Sequence, residues 1–180
     1  MPTPTLIVVS GPTGSGKTQL AHALAPLIPC PAVCRDEIKE GMVHAAGPGF
    51  VAAAGDPLTV RTLDAFFDVV RVLVEAEVSL VVEAAFQDRI WRHGLEPLLE
   101  RVELRIVQCE VDVAVAWERA RQRLAARPAH AVGGHVHDLD AWTDVYGTFE
   151  RISFDAPSLS VDTTDGYAPG LPQVVAFVGD

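Results

Sequence analysis

Residues Gly11-Pro12-Thr13-Gly14-Ser15-Gly16-Lys17-Thr18 match the pattern G-x-x-x-x-G-K-[ST] in full. Before them, Thr5-Leu6-Ile7-Val8-Val9 is a short apolar, β-branched run of the kind that forms a buried strand. After them a helix is expected from about Gly16 to Ala25, closed by Pro26 and Pro29. A strand, a glycine-rich turn and a helix in that order make a cradle for phosphate. The glycines let backbone N–H groups converge on an anion, and the helix N-terminus adds partial positive charge. Lys17 is placed to reach the β- and γ-phosphates of a nucleoside triphosphate, and Thr18 to offer its hydroxyl to Mg2+. Gly11, Pro12, Thr13, Gly14, Ser15, Gly16, Lys17 and Thr18 are therefore the expected nucleotide-binding set, with ATP and Mg2+ as the ligands.

The remaining pattern alternates strand and helix. Strands are expected at Pro31–Cys34, Leu80–Glu83, Leu104–Cys109 and Leu159–Val161. Helices are expected at Asp36–Met42, at Gln87–Glu100, from Asp112 to about Arg127, at Leu139–Glu150 and at Leu171–Val178. Another should begin at Asp56-Pro57, an N-cap carboxylate followed by proline, and it carries apolar residues at helical spacing from Leu63 to Val74. His44–Gly55, rich in glycine and alanine, reads as a loop or a poorly fixed helix. Strands separated by helices imply parallel pairing, so the expected fold is α/β: a three-layer α/β/α sandwich around a mostly parallel five-stranded sheet. At 180 residues, a single domain spanning 1–180 is expected.

Composition narrows the partners. Lys plus Arg is 14 and Asp plus Glu is 24, giving a net charge of 14 − 24 = −10. A surface that acidic argues against nucleic acid, whose phosphates need a basic face. No apolar run reaches the roughly 18 residues of a membrane span. No basic residue precedes the first apolar stretch, so a secretory leader does not fit. Cys30, Cys34 and Cys109 are an odd number in a chain long enough to fold without staples. Reduced thiols in a cytoplasmic protein are expected, with Cys30 and Cys34 buried rather than metal-bound.

In such sheets ligands sit beyond the carboxyl ends of the strands, so chemistry should follow the strands. Asp36 follows the second strand. It could accept a proton from an incoming hydroxyl, or it could cap the helix that begins there. Glu83 ends the third strand, where it could bind Mg2+ directly or through water, contact an acceptor, or be a plain surface carboxylate. Phe86 fits a core aromatic better than a pocket wall, and Arg89 is as readily a solvated side chain. Arg119, Arg123 and Arg127 recur every four residues and drift only about 80° around their helix, so either an anion or carboxylates such as Glu118 must balance them. Arg suits planar phosphate contacts, and a closing lid over about 119–137 would bring them to the γ-phosphate. Arg121 points the other way and reads as ion-paired surface. His130, His135 and His137 read as loop histidines or as lid contacts to substrate or phosphate more readily than as a metal set, and His22 and His44 as a plain helix residue and a plain loop residue.

Taken together, the phosphate loop, Cys34-Arg35-Asp36-Glu37-Ile38, Val81-Val82-Glu83-Ala84-Ala85-Phe86 and the arginine helix with Gly134-His135 resemble the small P-loop kinases. That group includes zeta-toxin-like and chloramphenicol-phosphotransferase-like enzymes and the kinase half of polynucleotide repair enzymes. The resemblance covers about residues 5–165. It implies that Asp36 is the general base, that Arg119 and Arg123 contact ATP, and that Thr18 and Glu83 serve Mg2+. A Glu where the group usually has Asp is a departure. The expected activity is transfer of the γ-phosphate of Mg·ATP to a hydroxyl of a small molecule, with Asp36, Lys17 and Arg123 carrying the chemistry. The acceptor pocket should lie between the second and third strand ends, roofed by residues 44–60. Other readings are a polynucleotide 5′-hydroxyl or nucleotide-sugar kinase, or a nucleotide-dependent switch without kinase activity. Nothing in the pattern fixes an oligomeric state.

Overall fold

The computed structural model describes residues 3–47, 57–126 and 138–179. Five strands form one sheet: β1 (Thr5–Ser10), β2 (Ala32–Cys34), β3 (Leu80–Glu83), β4 (Glu103–Glu110) and β5 (Ser158–Asp162). Their order is β2-β3-β1-β4-β5, and every pairing is parallel. The helices are α1 (Lys17–Leu24), α2 (Arg35–Ala46), α3 (Pro57–Glu75), α4 (Asp88–Leu95), α5 (Val113–Ala126), α6 (Leu139–Gly147) and α7 (Leu171–Gly179). The α/β sandwich expected from the strand–helix alternation is the observed fold. Among the described residues no helix is long and apolar enough to cross a membrane.

Strand periodicity sorts the core into two layers, because successive side chains leave opposite faces of the sheet. Leu6, Val8, Leu80, Val82, Leu104 and Ile106 face α3 and α4 and bury Phe66, Val70, Val74, Trp91 and Leu95. Ile7, Val9, Val81, Val107 and Val161 face the other way, onto Leu20 and Leu24 of α1 and Val174 and Val178 of α7. A third, smaller cluster joins Ala116 and Ala120 of α5 to Trp142 of α6.

Several boundaries differ from the sequence pattern. The second helix begins at Arg35 and continues through His44 to Ala46, so part of the expected loop is helical. The segment expected as one helix over Gln87–Glu100 splits into α4 and a 3-10 turn, Glu96–Arg101, with Pro97 at its start. Gly94 does not weaken α4. The ring of Phe67 lies where a Cβ would be, so the missing side chain is what lets α3 pack against α4. α6 stops at Gly147 rather than Glu150. Asp56, expected as an N-cap, lies outside the described residues.

Phe66 is fully buried, with the rings of Phe67, Phe86 and Trp91 at centroid distances of 5.4, 5.9 and 5.6 Å. Phe86 is therefore a core aromatic rather than a pocket wall, the reading preferred for it from the sequence. Phe66→Ala is expected to cost about 3–5 kcal/mol of unfolding free energy in urea titration, the usual toll of a cavity left by a buried ring. A loss under about 1 kcal/mol would mean that this cluster does not hold α3 to the sheet.

Candidate functional site

Parallel register sets the site. Val9 pairs with Glu83, and Glu83 pairs with Cys34, so β1, β3 and β2 end at one level. Beyond that edge lie the start of the glycine loop, the Glu83 carboxylate and the first turn of α2. β3 stands between β1 and β2, so Asp36 reaches the loop across the end of β3 rather than as its direct neighbour.

The loop itself is held by close approaches. Gly14 has φ 83°, and the backbone of Ala116 in α5 occupies the space that a Cβ would need. Gly11 has φ 157°, and a Cβ there would meet Cys109 O at 2.7 Å. α1 starts directly from Gly16, with no acidic side chain in its first turn to quench the positive helix end. The Ser15 hydroxyl is buried, without a hydrogen-bond partner among the described residues.

Glu83 lies at the centre and is 1% exposed. Its Oε2 accepts a hydrogen bond from the Thr18 hydroxyl at 3.0 Å, and its Oε1 is 3.7 Å from Lys17 Nζ. Lys17 is 6% exposed and also donates to Pro12 O at 3.4 Å. Among the described residues, Oε1 has no hydrogen-bond partner. Burial raises the Glu83 carboxyl above its ordinary value, and Lys17 and Thr18 offset only part of that. A buried carboxylate with one oxygen short of a partner, beside a hydroxyl, is a hard-oxygen donor set that fits Mg2+. The loop N–H groups and Lys17 likewise fit the phosphates of a nucleotide.

Asp36 is the second residue of α2. The N-cap is Cys34, which makes no side-chain cap bond, so the capping role weighed for Asp36 is not what the helix uses. Its side chain is 56% exposed and pairs with Arg35 Nη1 at 2.9 Å. Burial pushes its carboxyl upward, but Lys17, Arg35 and Arg123 outweigh this and hold it below its ordinary value. Asp36, Glu83, Lys17 and Arg123 thus share one electrostatic field.

The arginine helix divides. Arg119 donates to Gly14 O (3.4 Å), Thr163 O (2.8 Å) and Thr164 O (3.2 Å), so it braces the loop against the end of β5. Arg123 is exposed and acts on Asp36 and Glu83 through its charge. Arg121 pairs with Glu118 at 3.2 Å and lies over the Trp117 ring, the surface role expected for it. Arg89 is exposed. Arg127, Gly134, His130, His135 and His137 lie outside the described residues, as does most of the expected lid and of the 44–60 roof.

Two features escape the sequence pattern. Buried Thr163 donates to Ser15 O at 2.9 Å and ties β5 to the loop. Its signal was the polar pair Thr163-Thr164 just past an apolar strand. The second is a cavity of about 140 Å³ over the ends of β1 and β3, lined by Pro12, Thr13, Gln87, Trp142, Tyr146 and Phe149 among others.

A family model described as an AAA domain matches residues 6–147. No curated protein matches the chain. Solved structures do. A candidate kinase from Chloroflexus aurantiacus J-10-fl is 23% identical, with 99% of this chain and 98% of that one covered and a TM-score of 0.86. The APS kinase of Mycobacterium tuberculosis, in complex with AMPPNP and APS, is 14% identical over 100% of both chains, with a TM-score of 0.63. A gluconokinase from Sinorhizobium meliloti 1021 is 20% identical over 99% of this chain and 94% of that one, with a TM-score of 0.61. The shared feature is the fold, an α/β/α sandwich around a parallel five-stranded sheet.

The raised Glu83 carboxyl has a consequence for stability. It binds its proton more tightly in the folded chain than in the unfolded one, so its contribution falls as pH rises from 4.5 through the folded value. Glu83→Gln removes that slope and leaves Lys17 without its counter-charge at every pH. In urea titrations between about pH 4 and 8, the variant is expected to gain stability relative to wild type as pH rises. A difference that stays constant with pH would show that Glu83 carries no burial penalty.

Proposed function

The chain belongs to the AAA domain family, and we propose that it is an ATP-dependent kinase transferring the γ-phosphate of Mg·ATP to a hydroxyl of a small-molecule acceptor. One observation supports this above the others. A second carboxylate, Asp36, stands in the field of Lys17 and Arg123 but outside the Thr18–Glu83 pair. A phosphate loop alone would serve any nucleotide-dependent protein. A half-exposed, ionised carboxylate beside it gives an incoming hydroxyl something to donate to.

The chain's own residues divide the work by position and charge. The loop N–H groups and the start of α1 hold the phosphates. Lys17 turns its charge from Pro12 O and Glu83 to the β- and γ-phosphates. Thr18 and Glu83 would hold Mg2+, which supplies neutralisation of the phosphate oxygens when bound. Asp36 accepts the acceptor's O–H and aims its oxygen at the γ-phosphorus. Its lowered pKa makes it a weak base, which suits a loose transition state in which the proton leaves late. Arg123 adds positive charge from the rim, and Arg119 keeps the loop in shape.

Net charge −10 favours a small acceptor over a polynucleotide. The cavity beside Pro12 and Gln87 lies over the ends of β1 and β3 and is not lined by Asp36, so it is not assigned to the acceptor, whose expected place is between the ends of β2 and β3. The kinase fold shared with an APS kinase and a gluconokinase is consistent with that class.

Asp36→Asn tests the assignment. It keeps the size of the side chain and touches none of the phosphate contacts. ATP affinity measured by calorimetry should be retained, while turnover with a hydroxyl acceptor falls by about 10² to 10⁴. Turnover within about threefold of wild type, far short of a positioned base's share, would remove Asp36 from the mechanism.

A further inference from the structure

Beside the phosphate cradle, α1, β2 and α2 bring three different donor atoms together. His22 Nε2, on α1, is 2.6 Å from Glu37 Oε1 in the first turn of α2. The same nitrogen is 3.7 Å from Cys34 Sγ at the end of β2. The ligand atoms of all three residues lie within 4.8 Å of one another. We propose that His22, Cys34 and Glu37 form a binding site for a thiophilic divalent cation of the Zn2+ class, with a fourth position left to water.

The donor set decides the class. Imidazole nitrogen, thiolate sulfur and one carboxylate oxygen are the ligands Zn2+ takes, and three protein ligands plus water make an open tetrahedral site. Mg2+ and Ca2+ prefer oxygen alone, so this site and the Thr18–Glu83 pair select different ions. The geometry is close to what a tetrahedral ion requires. With bonds of about 2.0–2.1 Å to nitrogen and 2.3 Å to sulfur, the two atoms stand about 3.5 Å apart. The observed separation is 3.7 Å. The nitrogen and the carboxylate oxygen must part from 2.6 Å to about 3.4 Å. They can do so freely, because both side chains are 50% exposed. Cys34 is the fixed point, 2% exposed on a strand, and the other two ligands close over it from the solvent side.

Binding forms the metal–sulfur bond as the thiol proton passes to solvent, with no redox change. The placement also carries a structural consequence. Cys34 is the register partner of Glu83, and Glu37 follows Asp36 directly. An ion held here joins α1, which carries Lys17 and Thr18, to the turn that carries Asp36. It is a clamp between the two halves of the site.

Co2+ is the probe, titrated into the full untagged chain without nucleotide. A sulfur-to-cobalt charge-transfer band should appear in the near ultraviolet and saturate at one equivalent, and Zn2+ should bleach it. Co2+ at Thr18 and Glu83 has no sulfur ligand and gives no such band, so the two sites are told apart. His22→Ala trims a half-exposed side chain that the core does not need, and its fold can be checked by circular dichroism. It should weaken Co2+ binding by more than the roughly tenfold that an outer-shell partner is worth, and Glu37→Gln should do the same. Cys34→Ser should abolish the band, and Cys30→Ser should leave it intact. No thiolate band in wild type would overturn the site. So would a band that keeps its affinity in folded His22→Ala, or one that disappears in Cys30→Ser.

Discussion

Glu83 is a carboxylate taken almost wholly out of water at the sheet's carboxyl edge, between β2 and β1, and the arrangement around it follows from that. A buried charge is tolerated only with a counter-charge and hydrogen bonds, and removing one partner of such a pair costs about 3–5 kcal/mol. Lys17 and Thr18 supply the charge and the hydrogen bond, and both belong to the first turn of α1. The same two residues are the ones a phosphate loop directs at a nucleotide. In the proposed kinase, the resting chain keeps its phosphate ligands folded onto its own carboxylate, and a nucleotide with its Mg2+ would take over both contacts together. This is an exchange of partners inside a buried site rather than the exposure of a new charge.

The register of the sheet is what makes the exchange local. Val9, Glu83 and Cys34 lie side by side across three strands, so the residues that follow each of them emerge at one edge. The glycine loop follows the first, Ala84 to Gln87 the second, and Arg35-Asp36 the third. A slip of one residue between β1 and β3 would turn Glu83 to the other face of the sheet. Arg119 and Thr163 act at the opposite flank, pinning Gly14 and Ser15 to the end of β5. The loop is thus fixed from both sides before any ligand arrives.

Features whose physics is local were legible in the sequence. The glycine loop is contiguous, the apolar strands are short and bounded, and Asp112 does cap α5, accepting from the N–H groups of Ala114 and Val115. Arg121 took the role its spacing suggests, and Phe86 is the core aromatic the sequence favoured. Features that depend on chain segments far apart were not legible. Gly94 reads as a helix breaker until Phe67, 27 positions earlier, is seen to need its space. Arg119 and Arg123 sit one turn apart and look alike, yet Arg119 is spent on backbone carbonyls of residues more than 40 positions away. His22, read as a plain helix residue, meets Cys34 and Glu37 because α1 lies over the end of β2, which no periodicity reports. The order β2-β3-β1 likewise comes from crossovers, and it puts Asp36 one strand further from the loop than chain order suggests.

What separates a hydroxyl kinase from a protein that merely hydrolyses or holds a nucleotide is the fate of the phosphoryl group. ATP labelled at its γ-phosphorus, incubated with the chain, Mg2+ and a panel of small hydroxyl compounds, follows that fate directly. With Asp36 aiming an alcohol oxygen at the phosphorus, the label leaves ATP as a phosphate ester of one class of compound, and ATP consumption rises when that compound is present. Label recovered wholly as inorganic phosphate, at a rate no compound changes, would contradict the assignment.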